Sequence, residues 1–79
     1  MKNWIRVERA RYDISQRELA DILGLTTHSI YAIERGKFVP STLTALKIAK
    51  LFNVKVEDIF ILEESDLEFL KNSTIKANP

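Results

Sequence analysis

The stretch from Gln16 to Arg35, QRELADILGLTTHSIYAIER, leaves the chain few ways to fold. Ala20 precedes Gly24 by four residues, and Ile30 and Ile33 follow that glycine by six and nine. A small residue at position 20 lets two helices approach closely, where a larger side chain would force them apart. Gly24 admits the positive φ that a tight turn requires. Ile30 and Ile33 share one helical face. At about 100° per residue, His28, Tyr31, Ala32 and Arg35 then point outward, with Thr27 on the flank. The pattern predicts two short crossed helices that hold the second one up to an outside surface. A plain helix corner inside a small bundle is the alternative.

Caps and breakers extend the frame. Residues 3–12 read as a first helix with Ile5 inward and Arg6, Arg9 and Arg11 among its polar positions; Asp13 and Ile14 turn the chain. Ser15 with Glu18 forms a capping box for the second helix, which runs to Leu23 before Gly24. Thr26 caps a third helix to Arg35, and Gly36 ends it. Residues 37–40 form a loop. Ser41 caps a fourth helix, TLTALKIAKLF, whose Leu/Ile/Ala stripe is assigned to the core. Asn53 suits the left-handed turn that follows. Val56 to Phe60 reads as a short fifth helix. There is no repeat and no long alternating strand pattern.

Seventy-nine residues with 46 % apolar content make one small folded domain. No cysteine is present, so disulfides, thiolate metal sites and cysteine nucleophiles are excluded, and a reducing compartment is favoured. His28 is the only histidine, so a histidine metal site or catalytic pair has no second member, and no Ser/His/Asp spacing suggests a triad. No metal, cofactor or enzymatic activity is expected. The N-terminus lacks the apolar segment of a signal peptide, and no run approaches the ~20 apolar residues of a membrane helix. The expected location is cytoplasmic, with no membrane partner. Formal net charge is only +1, but residues 1–37 hold seven Lys/Arg against five Asp/Glu, whereas residues 57–68 hold six acids and no base. Such polarity suits one nucleic-acid-binding face and equally suits a mixed solvated surface.

The run SQRELADILGLTTHSIYAIERGKFVPSTLTALKIAKLFNV resembles the Xre/Cro-like helix-turn-helix regulators, the group that includes the lambda and phage 434 repressors. The most specific parts are SQxELA (Ser15 to Ala20), IxxIExGK (Ile30 to Lys37), Pro40-Ser41 and ALKIAKLFNV (Ala45 to Val54). The resemblance covers about residues 3–62. It implies an all-α, five-helix lambda-repressor-like domain that places its recognition helix, residues 27–35, in the major groove of double-stranded operator DNA, usually as a dimer on a palindromic site. Gln16 falls where the family contacts a phosphate at a helix N-terminus, with Arg17 beside it. Thr26, Thr27, His28 and Ser29 open the recognition helix, and the usual base readers fall at Thr27, His28 and Ala32. Arg35, Lys37 and Phe38 fall near the DNA backbone. Arg9 and Glu34 match a pair that forms a buried salt bridge in some relatives. Many relatives carry Arg-Gln where this chain has Thr27-His28, so the reader is less polar than usual. Thr27 can touch a thymine methyl, His28 can reach a purine N7, and Ala32 offers only a methyl group. Tyr31 can stack on sugar or reach a phosphate. A solvated His28 is the competing reading.

The expected organisation is a DNA-binding domain over residues 1–62 with its motif at 16–35, a C-terminal extension over 63–72, and a flexible tail over 73–79. In the extension, Ser65 with Glu68 predicts a capping box for a short helix. Ile61, Leu62, Leu67, Phe69 and Leu70 exceed what five helices need to close a core. They either fold back on their own domain or form a two-fold interface as a strand or helix pair, and the interface is expected. Trp4 is assigned to packing. The reading is a homodimeric transcriptional regulator acting as a repressor, with switching supplied by a partner or by dimerisation because one small domain leaves no room for an effector module. The rival reading is an antitoxin-like or adaptor protein whose main role is to bind a second protein.

Overall fold

In the computed structural model, residues 1–73 are described. The order is β1 (Lys2–Asn3), α1 (Ile5–Tyr12), α2 (Gln16–Leu23), α3 (Thr27–Glu34), α4 (Thr42–Leu51), α5 (Val56–Ile59), β2 (Phe60–Ile61) and a C-terminal 3-10 helix (Glu64–Asn72). The fold is all-α, with five α-helices, a two-strand pair formed by β1 and β2, and a 3-10 helix in the extension. Residues 74–79, most of the expected flexible tail, lie outside the described residues; Ser73 caps the 3-10 helix.

Each of the first four helices stops in the same way. Asp13, Gly24, Gly36 and Asn53 take left-handed backbone conformations, with φ of 53°, 70°, 72° and 55°. The next amide reaches back to the carbonyl five residues earlier: Ile14 to Arg9, Leu25 to Ala20, Lys37 to Ala32 and Val54 to Ala49, all at 2.9–3.0 Å. These are Schellman ends, which satisfy carbonyls that the helix leaves open. At Gly24 an added Cβ would meet nothing within 4 Å. Its requirement for glycine is therefore conformational, at about 1 kcal/mol or more for an L-residue.

The starts match the expected caps. Ser15 Oγ accepts from Glu18 N at 3.0 Å while Glu18 Oε1 accepts from Ser15 N at 3.0 Å. Thr26 and Ser41 hydroxyls accept from Ser29 N and Thr44 N at 3.0 and 3.1 Å. The core gathers Ile5, Leu19, Ala20, Ile30, Ile33, Ile48, Ala49, Phe52, Ile59 and Phe60. Ala20, 1 % exposed, belongs to that core on α2, the helix that packs against α3.

Several boundaries differ from the sequence expectation. Asn3 lies in β1, so α1 begins at Ile5. The Asn3 side chain explains the shift: Oδ1 accepts from Ile5 N at 3.2 Å and Nδ2 donates to the Ile33 carbonyl at 2.9 Å, tying the start of α1 to the end of α3. Helix α3 stops at Glu34 with Arg35 as its C-cap, and α5 stops at Ile59 because Phe60 enters β2. That strand pairs antiparallel with β1, Ile61 opposite Lys2 and Phe60 opposite Asn3. Of the five apolar residues expected at an interface, Ile61 is thereby paired within its own chain. Trp4 is 45 % exposed, with Lys2 Nζ 5.7 Å from its ring centroid. On α4, Ile48 and Ala49 are buried, but Leu43, Leu46 and Leu51 are exposed, so only part of the stripe is core.

The extension caps itself two residues earlier than expected. Glu63, not Ser65, is the N-cap, and Asp66 completes the box by accepting from Glu63 N at 2.8 Å. The Met1 amine decides this, lying 2.8 Å from Asp66 Oδ2 and 3.1 Å from Glu63 Oε1. Hydrogen bonding to that amine holds the Asp66 carboxyl below its ordinary pKa, and hydrogen bonds to Asp66 and then Glu63 raise that of the amine.

Candidate nucleic-acid interface

Helix α3 is held from behind and left open in front. Ile30 and Ile33 are buried, while Thr27, His28 and Tyr31 are exposed and Ala32 is half-buried. The helix lacks long charged side chains over its first two turns, so its outer face presents a hydroxyl, an imidazole, a phenol and a methyl group. Thr26 and Ser29 serve the helix start. The two hydroxyls lie 2.9 Å apart and Thr26 Oγ1 caps the Ser29 amide. Ser29 also turns partly inward, lining a pocket with Leu25, Phe38 and Pro40.

Behind the helix, one charged node joins three elements. Arg9 Nε donates to Glu34 Oε2 at 2.6 Å and Nη2 donates to Oε1 at 3.2 Å, a two-pronged contact matched to the planar guanidinium. Arg9 Nη1 donates to the Ile14 carbonyl at 3.0 Å, in the turn before α2. Gln16 Nε2 donates to Glu34 Oε1 at 3.1 Å. The Arg9 and Glu34 side chains are 16 % and 7 % exposed. The pair therefore locks α1 to α3, and Gln16 brings in α2.

Beside that node lies a cationic hollow lined by Arg6, Arg9, Gln16, Tyr31, Glu34 and Arg35. Glu34 compensates Arg9, and Arg35 stacks its guanidinium 5.4 Å from the centre of the Tyr31 ring, one helical turn away. Arg6 and Arg35 form none of the ion pairs recorded among the described residues. The hollow adjoins Gln16, the first residue of α2, whose helix N-terminus adds partial positive charge. A tetrahedral anion with several acceptor oxygens matches this lining.

The sequence-predicted residues thus separate into groups. Thr27, His28, Tyr31 and Ala32 share the outer face of α3. Gln16, Tyr31 and Arg35 meet at the hollow. Arg17 is exposed on the first turn of α2, and Lys37 and Phe38 are exposed in the loop after α3. The main chain there is fixed, because the Ala32 carbonyl accepts from both Lys37 N and Phe38 N at 3.0 and 3.3 Å. Local sequence marks Arg6 only as a polar position of the first helix. The signal that finds it is tertiary: α1 crosses the end of α3 so that position 6 opens on the same hollow as positions 16 and 35. Ile61 is half-buried in the strand pair, and Leu62, Leu67, Phe69 and Leu70 are exposed on the extension. No helix among the described residues is long and apolar enough to cross a membrane.

The helix-turn-helix family profile matches residues 5–59, the span from the first residue of α1 to the last of α5. Relatives from a bacterium, an archaeon and a phage align with most of the chain. An HTH-type transcriptional regulator of Bacillus subtilis, YgzD, is 48 % identical over 66 residues, which is 84 % of this chain and 100 % of the relative. An HTH-type transcriptional regulator of Methanocaldococcus jannaschii has the same identity and the same coverage, 48 %, 84 % and 100 %. The ImmF control region 10 kDa protein of Bacillus phage phi105 is 34 % identical over 65 residues, 76 % of this chain and 72 % of the relative.

Proposed function

The chain belongs to the Xre/Cro-like helix-turn-helix family of DNA-binding transcriptional regulators, and from that premise we propose that it acts as a cytoplasmic, non-enzymatic repressor, a homodimer on a palindromic operator. The observation that carries the reading is the open face of α3, with Thr27, His28, Tyr31 and Ala32 outward and a cationic hollow at its far end. The N-terminal half of α3 enters the major groove, where Thr27, His28 and Ala32 meet base edges. Arg6, Gln16 and Arg35 hold a phosphate in the hollow, while Arg17, Lys37 and the Phe38 main chain follow the backbone on either side. Tyr31 bridges the two zones through its stack with Arg35. A two-fold dimer sets two such helices about 34 Å apart, one turn of B-DNA. Repression follows from occupancy of the operator, and the control-region name of the phage relative is in keeping with it.

Selection of bound sites from random duplexes, followed by a salt-dependent mobility-shift assay, tests the reading. Enrichment of a palindromic motif is the expected result; no enrichment over the input library would overturn it. Two variants assign roles within the surface. Arg35→Ala should weaken binding to all duplexes alike and reduce the slope of log K against log salt by about 1. An unchanged slope would remove Arg35 from the phosphate contacts, and Arg6→Ala is expected to behave as Arg35→Ala does. His28→Ala should instead relax preference at one base position per half-site, with a discrimination loss of about 1 kcal/mol. An identical selected motif would mean that His28 reads nothing.

A further inference from the structure

We propose that the C-terminal 3-10 helix of one copy docks in the groove between the C-terminal ends of α2 and α4 of a second copy, and that the contact is made reciprocally. The inference rests on the homodimer reading and specifies which surfaces meet. The groove has an apolar floor of Ile22, Leu23 and Leu51 and carries Lys47 and Lys50 along its rim. Ile22 is 57 % and Leu51 38 % exposed, so the floor of the groove is open to solvent. None of the ion pairs recorded among the described residues uses Lys47 or Lys50.

The extension has the complementary character. None of its residues is buried in its own chain. Phe69 is 64 % and Leu70 45 % exposed, and the same segment carries Glu64, Asp66, which faces the Met1 amine, and Glu68, 3.8 Å from Lys71. Two such extensions laid face to face would bring like charges together, which disfavours a simple helix pair. The lysine-rimmed groove offers the opposite sign around an apolar floor. An extension cannot supply its own groove, because Met1 and the β1–β2 pair hold it where it begins and none of its residues lines the groove. A second copy can, and exchanging the contact in both directions closes the assembly around a two-fold axis.

Sedimentation velocity on the full chain tests this with three variants: Lys47→Glu/Lys50→Glu, Glu64→Lys/Glu68→Lys, and all four changes together. All four side chains are exposed, so circular dichroism should be unchanged. Each charge-reversed pair should weaken the dimer at least about tenfold, and the combined variant should recover it. Ile22→Ser, which leaves charge untouched, should also weaken it. A monomeric wild-type chain would overturn the homodimer reading itself. A dimeric wild type whose groove variants remain equally dimeric would overturn only the docking arrangement.

Discussion

Arg9→Met should lower the free energy of unfolding by about 3 kcal/mol in urea denaturation followed by circular dichroism. The reason is the state in which it leaves Glu34. That side chain is 7 % exposed and takes its strongest contacts from Arg9. Without the guanidinium, the carboxylate keeps one donor, Gln16 Nε2 at 3.1 Å. A charge held out of water with a single amide donor costs far more than the pair contributes when intact. Methionine retains the apolar stem, so the loss reports charge rather than packing. Adding Glu34→Leu should recover most of it, since a node with neither charge has none to strand. A double variant as unstable as Arg9→Met would show that the loss does not come from a stranded Glu34 charge. The consequence for DNA binding is separate. The hollow beside α2 would lose the Arg9 guanidinium from its lining, so phosphate affinity should fall even under conditions where the domain stays folded.

Phe52→Ala should cost about 4 kcal/mol and lower Tm by on the order of 20 °C. Phe52 is 2 % exposed and packs against Tyr12 at a centroid distance of 5.6 Å. The Tyr12 hydroxyl donates to the Phe52 carbonyl at 3.1 Å, so the ring contact and the main-chain contact join the ends of α1 and α4 at one point. Alanine removes the ring and leaves a cavity that the surrounding core cannot close without moving helices. Phe52→Leu retains most of the volume and should cost about 1.5 kcal/mol or less. Differential scanning calorimetry of the three proteins checks the order. A loss below about 1 kcal/mol for Phe52→Ala would place the stabilising core elsewhere.

Local chemistry was legible where one turn of chain suffices to satisfy it. Ser15 with Glu18, Thr26 and Ser41 cap their helices because a hydroxyl needs only an amide three residues away. Gly24 and Asn53 end theirs because the left-handed conformation is a property of the residue itself. Reading failed where a distant group competes. Ser65 is a sound cap by type, yet Glu63 takes the position because Asp66 is recruited by the Met1 amine, more than sixty residues away in the chain. Asn3 looked like the first turn of a helix, but a carbonyl at the end of α3 and a partner strand at Phe60 claim it first. The stripe of α4 overstates the core because periodicity measures how wide an apolar face is, not how much of it a neighbour covers.

The chain's local order already contains the helix-turn-helix: where each helix starts and stops, which isoleucines face inward, and that Thr27, His28, Tyr31 and Ala32 share an outer face. Those features depend on residue size, backbone preference and a 3.6-residue period, all of which act over a few residues. Tertiary structure decided how charges are shared. Arg9 closes on Glu34, Gln16 is drawn into the same node, and Arg6 opens with Arg35 on the hollow. It also sent Ile61 into a strand pair and left Phe69 and Leu70 outside. Contacts between residues 18 or more apart depend on helix crossing and on competition among partners, and no local pattern encodes which arginine meets which carboxylate.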